Sequence, residues 1–596
     1  MKKRTEMMAA VLQSPGLQRA IERSSRAGEG DEKTLQERAR QYLLEIAADY
    51  DEQWLNIWEK VLSRLWRIIY DDFVVDQRGL EKIREISRKM PFVIVPCHRS
   101  HLDYLIISYI LYRHGVPLPF VAAGDNMNFW PLGYIFRQSG AFFLRRSFQG
   151  NDLYADVFTA YVETLLREGV SIEFFVEGGR SRTGKMLMPK YGMVSMLVRA
   201  YQERVCDDLA FIPVYIGYDR IVEENAYLKE LQGVSKRRES MLDVIKHSKI
   251  MMRRYGRVYV NFGNPLFLKS ALRQKSFTGI AGDDKQLLYR NIGHAVVSEI
   301  NRVSVATPAS LVAASLLCHN GEEIRGDLLR ATFTLLYDYL SYRKVNFAPA
   351  LAAREEAVPA VLELFSRRGF LLPKSVRKEK KGFAGLYLLP DDKRLNLEYY
   401  KNTLIHHFLS LGLAALSVLS RREKEIAYSS IKDDCIFLKM LFREEFIWGG
   451  DEDIEITESL AYLEEQGVIT GAEGNVVGKN DRAKEVLGTF SGLLRSYLES
   501  YWVVLNACSP DENKLAGGKN GLPYIRQWAY EMYKRGDIKR AESISDANYN
   551  NALKFLRGEG IINYGSPSGK GTGDGRFQVA DERRLESLRL RLSNFM

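Results

Sequence analysis

Between residues 80 and 300 the chain alternates short, β-rich apolar runs with helical segments, and this alternation constrains its fold more than any other feature. The runs are PFVIVP (91–96), PLPFVAAG (117–124), GAFFLRR (140–146), SIEFFVEGG (171–179), AFIPVYIGYD (210–219) and RVYVNFG (257–263). Each is too short for a helix of ordinary length and too continuously apolar for a strand with one wet face. The alternation suggests an α/β domain, expected to hold a mixed, largely parallel sheet flanked by helices. The expected fold class is therefore an α/β domain over residues 79–300.

Flanking regions have a different texture. Residues 24–34 (SSRAGEGDEKT) are polar and glycine-containing and are expected to form a flexible lead-in. The stretch that follows has helical periodicity, with Trp54, Trp58, Val61, Leu65 and Ile69 near one face. Three tryptophans there suit a membrane interface or helix packing, and Glu59 and Asp71 favour packing. Beyond residue 300 the pattern is mostly helical, broken by the loops PKSVRKEKKG (373–382) and SPSGKGTGDG (566–575). The segments VLELFSRRGFLL, SLAYLEEQGVIT and ALKFLRGEGIIN each read as a helix ended by a left-handed glycine cap, at Gly369, Gly467 and Gly560, followed by a short strand. These winged-helix-like units are expected to be structural. The expected divisions are an N-terminal helical region (1–78), the α/β domain (79–300), a helical region with a possible interfacial segment (301–420) and a winged-helix-like C-terminal region (421–596).

Composition narrows the partners. Eighty-five Lys and Arg against 75 Asp and Glu leave a formal charge of +10, which favours anionic partners without choosing among phosphorylated metabolites, acidic carriers, lipid headgroups and nucleic acid. The five cysteines show no CxxC pair and no metal-ligand spacing, so neither a disulfide frame nor a metal site is expected. The start MKKRTEMMAAVLQ lacks the apolar core of a signal peptide, which leads to a cytoplasmic expectation. FLSLGLAALSVL (408–419) falls short of the roughly 18 apolar residues a spanning helix needs, and reads as a buried or interfacial helix.

Chemistry concentrates where the apolar runs end. After PFVIV, the stretch VPCHRSHLDYL places His98 and Asp103 across a tight turn, and Ser100 with Asp103 has the spacing of a capping box. An aspartate in the first helical turn can orient one imidazole nitrogen and leave the other free to take a proton, with His101 secondary. The next strand ends carry Arg145 and Arg146, and then Glu177, Gly178, Arg180, Ser181, Arg182 and Lys185. Loops at the carboxyl ends of parallel strands share one crevice, and guanidinium forks bind phosphate. Gly179 to Lys185 matches GxxxxGK, but Met186 stands where a nucleotide-binding P-loop needs Ser or Thr. Neither a GxSxG elbow nor an HExxH helix is present. In AFIPVYIGYD, Pro213 cannot donate to a ladder and suits an edge strand or an irregular strand end. Pro213, Tyr215 and Ile216 could line a groove for an acyl chain, or simply belong to a core strand.

HRSHLDYL, GAFFLRRSF, FFVEGGRSRTG and IPVYIGYD, in this order, resemble the four blocks of the bacterial glycerol-3-phosphate acyltransferases of the PlsB type. The resemblance continues through GDNMNFWPLG, YLKELQGVSKRRES, YVNFGNPL and YYKNTLIHHFL. It implies an α/β acyltransferase domain transferring a long acyl group from acyl carrier protein or coenzyme A to the 1-hydroxyl of sn-glycerol 3-phosphate. It implies no cofactor and no nucleic acid, and places the protein peripherally or monotopically on an anionic membrane surface, at the cytoplasmic face of the inner membrane. Carried over by residue, His98 is the base and Asp103 its partner, while Arg145, Glu177, Gly178, Arg180, Ser181 and Arg182 hold the acceptor. Cys97 stands where relatives acting on lysophosphatidate often carry Asn, which favours the glycerol-3-phosphate branch. Dihydroxyacetone-phosphate acylation, or a non-catalytic lipid- or nucleic-acid-binding role, is the alternative.

Overall fold

The computed structural model describes residues 3–145, 147–148, 150–231, 254–274, 284–375, 383, 385–423, 425–450, 452–471, 476–479, 483–509, 521–564 and 577–596. Arg146 and most of the two glycine- or lysine-rich loops lie outside the described residues. The chain divides into two compact units. The first comprises Met1–Arg180, Pro189–Val222 and Glu239–Ser304, and the second Ser181–Met188, Glu223–Arg238 and Val305–Met596.

The first unit begins with helices α1 (Arg4–Leu12), α2 (Pro15–Arg26), α3 (Glu32–Ile46) and α4 (Glu52–Ile69). Residues 24–34 are a helix–helix connection rather than a flexible lead-in: α2 runs on to Arg26, Gly28 turns the chain at positive φ, and Asp31 caps α3 by accepting the Thr34 N–H at 2.7 Å. Caps and linkers draw on the same polar residues, which is why composition misled here. On α4 the packed face is Leu55, Leu62, Trp66 and Ile69, so the expected stripe is rotated and Val61 points outward.

Eight strands build the sheet: β1 (Asp72–Val75), β2 (Phe92–Pro96), β3 (Phe120–Gly124), β4 (Ala141–Leu144), β5 (Ile172–Glu173), β6 (Ala210–Tyr218), β7 (Arg257–Phe262) and β8 (Leu266–Phe267). Their order is β1-β7-β6-β2-β5-β3-β4, with β8 paired to β6. The pairs β1–β7, β2–β5, β2–β6, β3–β4 and β3–β5 are parallel, while β6 meets β7 and β8 antiparallel. This is the mixed, largely parallel sheet expected. Helices α5 (Gln77–Ser87), α6 (Asp103–Arg113), α7 (Leu132–Gln138), α8 (Asp152–Arg167) and α9 (Gly192–Gln202) connect its strands. Every residue of β2 is buried, as befits an interior strand covered on both faces. β6 is interior too, not an edge. Pro213 is accommodated because pairing with β7 stops at Val214 and pairing with β8 starts at Phe211, so its missing N–H falls in the gap between two ladders.

The second unit contains α10 (Glu224–Leu231) and the helical C-terminal half. The three capped segments recur as a repeated motif. Strand Glu323–Arg325, helices Gly326–Tyr342 and Arg354–Arg367, and strands Leu372–Ser375 and Leu386–Leu388 form one winged-helix-like unit. Strand Glu425–Ala427, helices Tyr428–Leu441 and Glu452–Glu465, and strands Ile469–Thr470 and Val476–Lys479 form the next. Helices Leu522–Arg535 and Asp546–Gly558 with the hairpin Ile562–Tyr564 and Phe577–Val579 form a third, lacking a described first strand. Gly369, Gly467 and Gly560 all adopt positive φ, at 68°, 62° and 68°, as a helix C-cap requires. The apolar helix Leu409–Ser420 is buried along nearly its whole length. Among the described residues no helix is long and apolar enough to cross a membrane.

Candidate active site

β2, β5 and β6 lie side by side and parallel, so the residues that leave their carboxyl ends emerge together. From β2 the chain enters the turn Cys97–Leu102 and then α6. Asp103, fully buried at the first turn of α6, organises that turn. Its Oδ2 accepts the backbone N–H groups of Arg99 at 2.6 Å and Ser100 at 2.9 Å, and lies 3.0 Å from His98 Nδ1. Its Oδ1 accepts the Tyr218 hydroxyl from the end of β6 at 2.5 Å. The capping box is therefore only half formed: the carboxylate reaches back to Ser100 N–H, but Ser100 Oγ accepts from Leu102 N–H and the helix starts at Asp103 itself.

This arrangement selects a tautomer. Asp103 Oδ2 already faces two backbone donors and acts as an acceptor, so His98 Nδ1 carries the proton and Nε2 carries the lone pair. The imidazole stacks on Phe175, with ring centroids 4.0 Å apart, and its side chain retains 16% exposure. Its backbone N–H donates to Glu177 Oε1 at 2.7 Å. The ring is thereby fixed through its backbone, its face and its Nδ1.

Neighbouring groups exclude some chemistries. Cys97 opens the turn after β2, but its Sγ is buried between the Ile216 carbonyl and N–H of β6. Burial pushes its thiol up to about 12, so it stays protonated and is no nucleophile. Glu173 on β5 is fully buried, and neither carboxyl oxygen has a hydrogen-bond partner among the described residues. Burial, aided by the charge of Asp103, pushes its pKa well above the carboxylate range, so it is held protonated.

The remaining expected residues divide between the two units. Gly178 turns the chain at φ +63°, where an added Cβ would meet Lys190 Cγ at 2.9 Å, and Arg180 is half-buried two residues on. Arg145 leaves β4, three strand spacings from β2, or roughly 14 Å. Its guanidinium grips Glu45 bidentately at 2.8 and 2.7 Å, between the rings of Tyr42 and Tyr154. Pro213, Tyr215 and Ile216 are buried in β6, with Tyr215 beneath the Arg99 guanidinium. In the second unit, Ser181 Oγ donates to the Lys185 carbonyl at 2.5 Å. Arg182 pairs with Glu230 and lies over the Tyr227 ring at 5.7 Å. Lys185 is buried and paired with Glu445, which removes the phosphate-binding lysine a P-loop needs. Sequence reasoning missed Tyr218, Phe175 and Glu173. Only Tyr218 left a signal, a hydroxyl-bearing ring at the end of a strand that proves adjacent to β2.

Residues 74–217, which run from β1 into β6 and include the whole His98 turn, match the acyltransferase family, so the first unit belongs to the class of acyltransferase domains. Residues 227–565 match the glycerol-3-phosphate acyltransferase C-terminal region. The chain therefore belongs to the glycerol-3-phosphate acyltransferase family. It is 33% identical over 520 residues to a glycerol-3-phosphate acyltransferase of Shewanella amazonensis, covering 84% of this chain and 62% of that protein. A glycerol-3-phosphate acyltransferase of Aeromonas hydrophila subsp. hydrophila is 35% identical over 483 residues, covering 79% of this chain and 58% of the relative. One of Pseudomonas putida is 33% identical over 479 residues, covering 78% and 56%. The chain thus spans about six-tenths of the length of these curated relatives.

Proposed function

We propose that this protein transfers a long-chain acyl group from an acyl carrier protein or coenzyme A thioester to the sn-1 hydroxyl of glycerol 3-phosphate, the first step of phospholipid synthesis. The observation that carries the reading is the His98–Asp103 pair at the end of β2, with Nδ1 held 3.0 Å from the carboxylate. His98 removes the hydroxyl proton as the oxygen attacks the thioester carbonyl. The C–O bond forms, the C–S bond breaks, and the proton passes from the imidazolium to the departing thiolate. Asp103 stabilises the imidazolium in between. The reaction needs no acyl-enzyme, in keeping with the inert thiol of Cys97.

The acceptor's phosphate is assigned to Arg180 and to Arg182, which reaches it by exchanging its Glu230 partner, with Glu177, Gly178 and Ser181 shaping the loop that carries them. Arg145 belongs to the site on resemblance, and reaches a phosphate only by exchanging its Glu45 partner. The acyl donor is assigned to the β6 side of the site, where Pro213, Tyr215 and Ile216 lie.

The protein works, in this reading, at the cytoplasmic face of the inner membrane, bound peripherally or monotopically. A face of the first unit supports it. The outward ridge of α4 exposes Ile57 (54%), Val61 and Ile68, flanked by the exposed cations Lys60, Arg64 and Arg67. Trp130 (87% exposed) and Tyr134 continue it, and Tyr134 meets Trp54 edge-on at 6.1 Å. An apolar ridge bordered by cations suits an anionic lipid surface, which also takes up a single-chain lipid product.

The deciding experiment incubates purified protein with labelled glycerol 3-phosphate and each donor, with and without lipid, alongside dihydroxyacetone phosphate as a competing acceptor. Acyl transfer to glycerol 3-phosphate that disappears in His98→Ala is the expected result. Substantial transfer by that variant overturns the mechanism.

A further inference from the structure

The loop that carries Arg182 is built by the C-terminal half of the chain. Residues Ser181–Met188 pack within the second unit, although the chain enters from Arg180 and returns at Pro189. They have no helix or strand to satisfy their backbone groups, so side chains and close packing must hold them. Four contacts do so. Asn402 Nδ2 donates to the Thr183 carbonyl at 2.8 Å, and the Tyr497 hydroxyl donates in turn to Asn402 Oδ1. Gly184 adopts φ +87°, and a Cβ there would lie 2.2 Å from the Tyr399 carbonyl oxygen, so only glycine fits. Lys185, 7% exposed, pairs with Glu445 and lies 4.5 Å from the centroid of Tyr497 and 5.4 Å from that of Phe446. Glu445 is itself held by Tyr501 at 3.3 Å and Asn551 at 3.1 Å. Finally, Ser181 Oγ bonds the Lys185 carbonyl and closes the loop around Arg182.

We propose that Asn402, Gly184, Lys185 and Glu445 are positioning residues for the acceptor site: they latch both sides of Arg182 so that its guanidinium is presented in one place. This rests on the reading that Arg182 binds the acceptor's phosphate. Arg182 lies one residue before Thr183, whose carbonyl is clamped, and three before the buried ammonium. Tyr399 and Asn402 belong to the helix Asp391–Asn402, Glu445 follows Tyr428–Leu441, and Tyr497 lies on Arg495–Ala507, so three separate segments of the helical unit converge on eight residues of loop. The C-terminal region then has a definite role in the reaction without touching the reacting atoms. The latch also explains why a lysine in a GxxxxGK pattern serves no phosphate: its ammonium is committed to Glu445.

The test is steady-state kinetics on the full-length protein, with both substrates varied. Asn402→Ala and Lys185→Met are expected to raise KM for glycerol 3-phosphate by about tenfold or more, while kcat and donor KM move less than about threefold. Lys185→Arg is expected to restore acceptor KM to near its original value. In a double-mutant cycle, Asn402→Ala should add little once Arg182→Ala has removed the guanidinium. Far-UV circular dichroism and Tm show which variants fold, and Asn402→Ala, which deletes no buried charge, decides the matter if Lys185→Met does not fold. The latch is overturned by a folded Asn402→Ala with unchanged acceptor KM, by equal effects on both KM values and kcat, or by full additivity with Arg182→Ala. If Arg182→Ala itself leaves acceptor KM unchanged, the acceptor-site reading falls and the latch with it. If Arg182→Ala raises acceptor KM and the latch variants do not, the latch alone falls.

Discussion

Asp103→Asn removes one charge while leaving the turn able to form, because the geometry dictates how the amide must sit. Its oxygen has to face the Arg99 and Ser100 N–H groups and His98 Nδ1, since an amide nitrogen there would oppose three donors. Its nitrogen then faces Tyr218, whose hydroxyl can turn to accept. The tautomer of His98 is preserved and only the carboxylate charge is lost. At the 3.0 Å separation of His98 Nδ1 and Asp103 Oδ2, with an effective dielectric of about 20, that charge stabilises the imidazolium by about 5 kcal/mol. Expressed in the transition state, this corresponds to a loss of roughly 10³- to 10⁴-fold in kcat. The assay is acyl transfer to glycerol 3-phosphate at saturating donor, with circular dichroism and Tm as a check on the fold. A folded variant within about tenfold of the parent would refute the reasoning, because Asp103 would then be a structural cap and His98 would not become charged in the reaction.

Other outcomes follow from the same structure. Tyr218→Phe deletes one donor to the buried carboxylate and should cost about 1.5–3 kcal/mol, read as a roughly 10- to 100-fold fall in kcat/KM with a cooperative thermal transition retained. Burial, with Arg540 and Arg394 nearby, pulls His319 down to about 4, so the unfolded chain takes up a proton below pH 6.5 that the folded chain refuses. Stability should fall by about 2–3 kcal/mol as pH drops from 6.5 to 4, and His319→Gln should flatten that slope in denaturant titrations at fixed pH steps. Burial raises the Glu542 carboxyl, but Arg394 overrides it and leaves the group at about 2, so a further loss should appear between pH 4.5 and 2. Replacing Ile57, Val61 and Ile68 together by Ser should weaken flotation with anionic vesicles by roughly 10²-fold, at about 1 kcal/mol per half-exposed side chain. Unchanged flotation, or a changed oligomeric state in its place, would remove α4 from the membrane.

How much of this was legible in the sequence depended on whether the signal was local. The sheet was readable because burial on both faces forces continuous apolar runs, and β2 and β6 are such runs. The three capped helices of the C-terminal half were readable because positive φ demands glycine at Gly369, Gly467 and Gly560. His98 and Asp103 were readable because only four residues of turn separate them, which brings them together whatever the rest of the chain does. Tyr218 was not, since its bond to Asp103 spans 115 positions and depends on β6 lying beside β2. Arg182 was legible as a cation, but its loop's dependence on Asn402 and Glu445, over 200 positions away, was not. The face of α4 was misjudged by one residue of phase, because Trp54 and Trp58 are only half-buried and tryptophan marks a packed face poorly when another lies within a turn.

Two buried carboxyl groups that feel each other's charge, Asp103 and Glu173, have opposite surroundings. Asp103 receives two backbone N–H groups, a tyrosine hydroxyl and the imidazole. Glu173 has no hydrogen-bond partner among the described residues and is kept protonated by burial and by Asp103 itself. A neutral Glu173 adds no further negative charge to that of Asp103, and Glu177, whose Oε1 accepts the His98 backbone N–H, is the other buried carboxyl group beside the histidine. In the proposed mechanism, a further buried carboxylate would hold the imidazolium more tightly and so disfavour return of the proton to the leaving thiolate. Of the four donors that meet Asp103, two come from the backbone of the turn after β2, while burial holds Glu173 neutral.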